Sequence, residues 1–349
     1  FTINNLVSGQ EYTNEIPVYV QLDSSMGLDD VEFYIDISAT GANNYQYSET
    51  VSFNIPVSLF QEGFPYDTNS QIGGGPLLVD LDGDESIEII FGDYAGFIHV
   101  LDSSGENWNP DLFPYDVGDD VWGSASSADI DLDGNIDFIV ASTNDHLYCF
   151  DRYGLKFDED LGQSLIGAPA IGNIDLDDEL EIVVGGYSTS GDLFAVNHDG
   201  TIVDGFPIEI NDKIRSAALH DFNDNDLDDI VITTDGDDVI AIIYDDLTVN
   251  TLFTAGNKFK SSPSIVKLED DYVIMAGSYD DYMHAVSVSG NILFQIEVGE
   301  NVNSSASFLD IGGAAYAFFG ADDGFIYAVD MNGESLDGWP QDLGAGVNI

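Results

Sequence analysis

The stretch Asp80-Leu81-Asp82-Gly83-Asp84-Glu85-Ser86-Ile87-Glu88 decides how the rest of this sequence can fold. It places carboxylates at its first, third, fifth and ninth positions, between two apolar runs. Like charges held so close together repel one another unless a cation lies among them. Ca²⁺ takes about six to eight oxygen ligands from carboxylates, amides, backbone carbonyls and water, and known calcium loops use such alternating positions. The stretch therefore predicts a calcium loop between two β-strands.

The same nine-residue spacing returns three times along the chain, and each copy is followed by a β-branched run. The seventh position varies freely, as expected where the ligand is the backbone carbonyl. The flanking helices and twelfth-position Glu of an EF-hand are missing, so we predict four calcium sites of another type. An acidic chain also forms Asp-rich turns by composition alone, which is the alternative for any single copy. The predicted metal ligands are Asp80, Asp82, Asp84, Ser86, Glu88, Asp129, Asp131, Asp133, Asn135, Asp137, Asn173, Asp175, Asp177, Glu179, Glu181, Asp221, Asn223, Asn225, Leu227 and Asp229.

Composition favours an all-β fold. Aromatic residues make up 12% of the chain, and short apolar runs are separated by Asp-Gly and Asn-Gly pairs. These are the signals of many short strands joined by tight turns. No stretch shows a sustained 3.6-residue period, so we expect almost no helix.

The charge of the chain excludes some partners. The chain has seven Lys and Arg residues and 65 Asp and Glu residues, which gives a formal net charge of -58. Such a surface repels phosphate backbones and anionic lipids, so neither nucleic acid binding nor direct membrane insertion is expected. It suits salty or calcium-rich surroundings, and we expect an extracellular, secreted or cell-surface protein. The start at Phe1, without Met or a signal-peptide pattern, favours a piece of a longer multidomain protein.

Residues 1–57 lack the acidic ladder and predict a separate segment. Alternating runs at Ile16 to Leu22, Val31 to Ile37 and Val51 to Val57 predict antiparallel strands with one apolar face. A complete immunoglobulin-like domain needs roughly 100 residues. We therefore predict a partial β-sandwich, with a small packed lid as the alternative.

Residues 58–349 repeat with a period of 43 to 49 residues. Each copy has a start of small residues, a first strand, the acidic loop, a second strand, a polar turn and two further strands. Four strands per period are typical of a β-propeller blade. A small residue at the start of the innermost strand fits this fold, because blades crowd near the axis. Six copies predict six blades, and a seventh is possible if it lies outside this sequence. The fifth and sixth copies, at Lys267 and Asp310, lack the ladder and are predicted to bind no calcium.

Two features of the third strands point to packing. His99 and His284 occupy a position that holds Tyr or Phe in other copies, so we predict packed rings rather than metal ligands. Cys149, the single cysteine, aligns with small apolar residues and is predicted to be a packed thiol.

The repeats resemble the FG-GAP or VCBS repeats of integrin-α-like β-propellers. The resemblance covers residues 58–349 and rests on the D-x-[DN]-x-[DN]-x-x-x-[DE] loops, the Gly/Ser-Ser-Pro/Ala starts and third strands such as Tyr327-Ala-Val-Asp330. It implies that the acidic loops bind Ca²⁺ on one face of the propeller. It also implies that partners dock on the opposite face or between blades.

The turns between second and third strands lie at the end of each blade away from the acidic loops. Four tyrosines there are predicted ligand-binding residues, able to stack on sugar rings or apolar side chains. Solvated acidic turns are the alternative. The four residues are Tyr94, Tyr187, Tyr279 and Tyr282.

No catalytic residue is predicted, because the sequence contains no nucleophile elbow, His-Glu-x-x-His motif, phosphate loop or dinucleotide fingerprint. We expect a calcium-stabilised, non-catalytic binding or adhesion module with a protein or glycan ligand. One alternative is a structural spacer of a secreted protease or filament. Another is a polysaccharide lyase or hydrolase propeller, whose paired carboxylates cannot be singled out among so many acids.

Overall fold

The computed structural model describes residues 31–40, 45–55, 63–268 and 271–344 of the chain. In these residues the assigned regular secondary structure consists of β-strands alone. The same residues contain no helix able to cross a lipid bilayer. The chain divides into two compact units, residues 1–65 and 66–349.

The first unit contains one antiparallel hairpin in its described residues. Strand β1 (Val31–Thr40) pairs with β2 (Gln46–Ile55), as two of the three alternating runs predicted. Phe33 stacks on Phe53 across the pair, with ring centroids 5.6 Å apart. The third predicted strand, Ile16 to Leu22, lies outside the described residues, so the partial sandwich stays a prediction.

The second unit contains six four-stranded antiparallel sheets in its described residues, each paired in chain order. The first sheet contains β3 (Leu77–Val79), β4 (Glu88–Gly92), β5 (Phe97–Leu101) and β6 (Tyr115–Asp116). The second contains β7 (Ser126–Ala128), β8 (Asp137–Ala141), β9 (His146–Asp151) and β10 (Gly154–Asp160). The third contains β11 (Ala170–Gly172), β12 (Glu181–Gly185), β13 (Asp192–Val196) and β14 (Ile208–Glu209).

The last three sheets follow the same order. The fourth contains β15 (Ile214–His220), β16 (Asp229–Thr234), β17 (Val239–Ile243) and β18 (Val249–Thr254). The fifth contains β19 (Ser264–Leu268), β20 (Asp271–Gly277), β21 (Tyr282–Ser287) and β22 (Ile292–Glu297). The sixth contains β23 (Ser307–Ile311), β24 (Ala314–Gly320), β25 (Phe325–Asp330) and β26 (Gln341–Asp342). Repeated sheets of this kind are consistent with a β-propeller.

The hydrophobic cores lie between neighbouring sheets. Phe138 of the second sheet packs in one cluster with Ile90 and Val100 of the first sheet. Further clusters join the second sheet to the third, the third to the fourth, the fourth to the fifth and the fifth to the sixth. One fully buried side chain of this size contributes about 1.5–3 kcal/mol. Stacking of neighbouring sheets is therefore the main source of stability in this unit.

The small residues at the start of the first strands meet their counterparts in neighbouring sheets. A Cβ added to Gly74 would lie 2.7 Å from the backbone of Gly123, and one added to Gly123 would lie 2.7 Å from the backbone of Gly167. Contacts so short exclude any larger side chain. The predicted crowding of the innermost strands explains these glycines.

The predicted packing of the third strands is confirmed. Cys149 is fully buried, and burial raises the pKa of its thiol. His99 stacks on Phe91 with ring centroids 4.9 Å apart. His284 is 1% exposed, and burial lowers the pKa of its imidazole. All three side chains belong to the core.

Candidate metal and ligand sites

The four acidic loops share one construction. The ninth residue of each loop opens the second strand of its sheet and is buried there. One oxygen of its carboxylate accepts a hydrogen bond from the backbone N–H of the second loop residue. The bonds join Leu81 N to Glu88 (2.8 Å), Ile130 N to Asp137 (3.2 Å), Ile174 N to Glu181 (2.8 Å) and Phe222 N to Asp229 (3.1 Å). Each loop is thereby closed over a buried carboxylate.

The first residue of three loops shapes the turn. Asp80 accepts hydrogen bonds from the backbone N–H groups of Gly83 (2.7 Å) and Glu85 (2.9 Å). Asp129 binds the N–H groups of the fifth and sixth residues of its loop in the same way, and so does Asp221. Gly83 has a φ of +78°, a backbone conformation that glycine adopts without strain. Local hydrogen bonds therefore preform the loops.

Three loops bring three carboxylates together, with ligand oxygens within 4.8 Å of one another. The triads are Asp80, Asp82 and Glu88, then Asp129, Asp131 and Asp137, and then Asp175, Asp177 and Glu181. These three clusters could hold metal ions. At its first, third, fifth and ninth positions the fourth loop has two carboxylates, Asp221 and Asp229, beside Asn223 and Asn225.

Other predicted ligands lie outside the triads. Asp84 and Asp133 each use one carboxylate oxygen to accept the backbone N–H two residues ahead, at 2.7 and 2.8 Å. Asn225 uses its side-chain oxygen in the same way, at 3.0 Å. The seventh-position carbonyls of Ser86, Asn135, Glu179 and Leu227 stay predicted ligands.

The third loop has buried oxygens without a partner. Glu181 is fully buried, and its Oε1 has no hydrogen-bond partner among the described residues. The same holds for Oδ1 of Asn173. Burial, with the charges of Asp175 and Asp177, raises the pKa of Glu181 to about 7. A buried oxygen left unpaired costs about 1–3 kcal/mol, so these oxygens fit a hard cation.

The second loop already contains a cation. Nζ of Lys156 lies 2.8 Å from both Asp131 and Asp137. Burial alone would raise the pKa of Asp131, but the hydrogen bond and charge of Lys156 lower it below its ordinary value. The strand register shifts between Leu155 and Phe157, so Lys156 sits at a bulge, which can redirect a side chain. A metal ion in this loop would have to displace the ammonium group.

The first and fourth loops resemble the third. Glu88 is 2% exposed and Asp229 is 1% exposed. Burial, together with nearby carboxylates, raises the pKa of each above its ordinary value. Oδ1 of Asp229 has no hydrogen-bond partner among the described residues.

The predicted ligand tyrosines lie at the opposite end of the sheets, but they are not equivalent. Tyr94 stacks on Trp122, with ring centroids 5.6 Å apart. Tyr282 opens strand β21 and packs near His284. Tyr187 and Tyr279 each have a cationic group within 6 Å of the ring centroid. None of the four is buried, and among the described residues Tyr94 and Tyr282 have an aromatic neighbour whereas Tyr187 and Tyr279 have cationic ones.

Polar residues of the same turns are bound to core rings. Asp93 lies 3.1 Å from Nε2 of His99, and Asp280 lies 3.0 Å from Nε2 of His284. Asp323 accepts a 2.6 Å hydrogen bond from the hydroxyl of Tyr327. These carboxylates serve the fold, which removes them as ligand candidates.

Sequence reasoning missed the basic residues of this end. Four of the seven Lys and Arg of the chain occur as two Lys-x-basic pairs, each just before or at the start of a first strand. The residues are Lys213, Arg215, Lys258 and Lys260. The recurrence of these pairs in so acidic a chain is a sequence signal from which the basic residues of this end could have been predicted.

No protein-family model matches this chain, and no curated protein matches its sequence. Among solved structures, the chain is similar to BBS1N in complex with ARL6DN, from a crystal soaked with lead. The TM-score is 0.54 at 13% identity, over 76% of this chain and 81% of that chain. The same complex soaked with mercury gives a TM-score of 0.53 with the same identity and coverage. At this identity the likeness shows the fold alone: repeated four-stranded sheets that resemble the BBS1 β-propeller.

Proposed function

We propose that this chain is a calcium-stabilised, non-catalytic β-propeller of the FG-GAP or VCBS type that serves as a binding module outside the cell. The observation that carries the proposal is the construction of the acidic loops. Each of three loops brings three carboxylates together, one of which is buried at the start of a strand.

Calcium is the cation that this ligand set favours. The loops offer carboxylate, amide and backbone oxygens and neither sulfur nor imidazole, which is the preference of a hard cation. Mg²⁺ requires a tighter octahedral arrangement than loops with several carboxylates readily provide. Extracellular fluid also supplies the high calcium concentration that weak sites need.

A binding role is supported by the end of the sheets away from the loops. The described part of that end carries aromatic and cationic groups in a chain that is otherwise acidic. The similar structure, BBS1N, was solved in complex with ARL6DN, so a propeller of this architecture can present a surface to another protein. A protein ligand is therefore our first candidate and a glycan our second.

The melting temperature of the chain in EDTA, Ca²⁺ and Mg²⁺ tests the proposal. Each site at a hundred times its Kd adds about 2.7 kcal/mol to the folded state. We expect a large rise with Ca²⁺ and a smaller one with Mg²⁺. Asp82→Ala should lose part of the calcium effect, whereas Asp337→Ala, which removes an exposed carboxylate outside the loops, should keep it. Identical melting curves in EDTA and Ca²⁺ would refute the proposal.

A further inference from the structure

Four residues form what we call the Tyr187 cluster. They are Tyr187, Lys213, Arg215 and Lys260. The cationic groups lie 5.1 Å (Lys213), 6.0 Å (Arg215) and 5.6 Å (Lys260) from the centroid of the Tyr187 ring. A fourth cation, Lys258, lies 4.9 Å from the ring centroid of Tyr279. More than half of the basic residues of the chain are thus at one end of three adjacent sheets.

Backbone contacts build this arrangement. Tyr187 follows strand β12, and Asp235 follows strand β16, so both lie in turns between second and third strands. The N–H of Asp235 donates to the carbonyl of Lys213, and that of Tyr279 donates to the carbonyl of Lys258. Nε of Arg215 donates to the carbonyl of Lys260 at 3.2 Å. The linkers that enter the fourth and fifth sheets are therefore fastened to these turns.

The cluster contains more positive than negative charge. Asp235 contacts Lys260 and the hydroxyl of Tyr187, both at 2.5 Å, and its side chain is 5% exposed. Burial alone would raise the pKa of Asp235, but those two hydrogen bonds and the Lys260 charge lower it. Among the described residues, neither the ammonium group of Lys213 nor the guanidinium group of Arg215 has a carboxylate oxygen within 4.0 Å.

The nearest buried acid does not neutralise them. Asp212 is 6% exposed and accepts hydrogen bonds from the backbone N–H groups of Lys213, Gly236 and Asp237. Its carboxylate is therefore used by the backbone. In a chain with 65 acidic residues, two adjacent cations without an acidic partner indicate that their counter-charge comes from another molecule.

We propose that the Tyr187 cluster binds carboxylates of an acidic protein segment. This inference rests on the proposed binding function and names its ligand class. A guanidinium with free N–H groups and a neighbouring ammonium match the geometry of Asp and Glu side chains. The Tyr187 ring has cations over it and its hydroxyl is bonded to Asp235, so it offers no open platform for a sugar ring. Asp235 also disfavours dianionic groups such as phosphate.

Binding of a fluorescent (Glu-Gly)₅ peptide to the calcium-loaded chain tests this inference. Anisotropy should be measured near 0.15 M salt, where a Debye length of about 8 Å screens the distant carboxylates of the chain. Because hydrogen bonds between charged groups are stronger than those between neutral groups, the Lys213→Gln/Arg215→Gln double variant should bind at least about tenfold more weakly. A (Gln-Gly)₅ peptide should not bind.

The matched control is Arg152→Gln/Lys267→Gln, which removes the same charge from two cation–ring pairs elsewhere, at Tyr153 and Tyr272. It should bind as tightly as the unmodified chain. The inference is overturned if the unmodified chain does not bind the peptide, if both double variants bind equally, or if an oligogalacturonate binds and the peptide does not. Calcium-dependent melting of the same samples tests the proposed function separately, because it does not depend on the peptide.

Discussion

The second and third acidic loops have the same ladder spacing, but among the described residues only the second has a lysine between its carboxylates. In the second loop, Lys156 lies between Asp131 and Asp137. In the third loop, Glu181 is fully buried and one of its oxygens has no partner among the described residues. Both loops close with the same backbone hydrogen bond to the ninth residue.

The difference shows that the same acidic ladder can surround a lysine of the chain or leave a buried carboxylate oxygen without a partner. Because Lys156 is part of the chain itself, it is present in the second loop at any calcium concentration. On the proposed function, the third loop depends on an ion from solution. The chain would then combine one loop that is stable without calcium with others that need it, and the two kinds of loop should respond differently to substitution and to chelation.

The largest effect is expected from Lys156→Met in EDTA. Removing one partner of a buried ion pair leaves its carboxylates uncompensated, so the free energy of unfolding should fall by about 3 kcal/mol. Each kcal/mol lowers the melting temperature by about 2–4 °C in a unit of this size. Calcium should recover much of the loss, and calorimetric titration should count one more calcium site than in the unmodified chain.

Arg152→Met is the control for that experiment, since Arg152 belongs to the adjacent turn and lies over the ring of Tyr153. It should change the melting temperature little, with or without calcium. An unchanged melting temperature for Lys156→Met in EDTA would show that the lysine does not stabilise the second loop.

Glu181→Gln should have opposite effects on stability in saturating calcium and in EDTA. With saturating calcium it removes a buried ligand and should lower the free energy of unfolding by about 2–3 kcal/mol. In EDTA it removes a buried negative charge and should be neutral or stabilising. Glu209→Gln, at an exposed carboxylate, is the matched control in thermal melting. The same destabilisation in both conditions would mean that Glu181 serves packing rather than metal binding.

In EDTA, the free energy of unfolding should depend on pH through Glu181 of the third loop. The pKa of Glu181 is about 7 in the fold, above its ordinary value of 4.5. The folded protein therefore holds this proton more tightly than the unfolded chain, and the resulting stability is lost as pH rises through about 7. Between about pH 5 and 8 the free energy of unfolding should fall by about 1–3 kcal/mol, and the Glu181→Gln variant should not show this fall. Denaturant melts at several pH values measure it.

The smallest effect is expected in the fourth loop, where Asn225 stands at the fifth position. Asn225→Asp adds a carboxylate, and the charge of the ligand set tunes calcium affinity. The variant should be about 1 kcal/mol more stable in calcium and slightly less stable in EDTA, by differential scanning calorimetry. A stabilisation of the same size in EDTA would attribute the gain to the turn, without a metal ion.

Much of the fold was predictable because its signals are local. The spacing of Asp80 to Glu88 and its copies predicted where the first strands end and the second strands begin, and β4, β8, β12 and β16 each begin at the ninth loop residue. Small residues such as Gly123 predicted the crowded innermost strands. Cys149 and His284 were predicted to be packed because they occupy positions that hold apolar or aromatic residues in other copies.

The surroundings of the predicted ligand tyrosines could not be derived from the sequence. The four tyrosines were predicted to bind a ligand because of their place in the turns, but whether a ligand can reach each ring depends on neighbours from other sheets. Tyr187 is covered by cations that enter with the next two sheets. Turn acids such as Asp93 resemble free ligands in the sequence, yet they bind rings in the core.

The sequence by itself determined the four-stranded repeat, the position of each acidic ladder and the buried carboxylate that closes it. The ladder and its closing carboxylate depend on residues within nine positions of one another, and the repeat shows directly as a period of 43 to 49 residues along the chain. Only the tertiary structure decided which cation meets each ladder and where the few basic residues gather. Lys156 reaches Asp137 across 19 residues, and Lys260 reaches Tyr187 across 73. Contacts of that range arise only when strands pair and sheets stack, because no local pattern specifies which distant side chain will face a given loop.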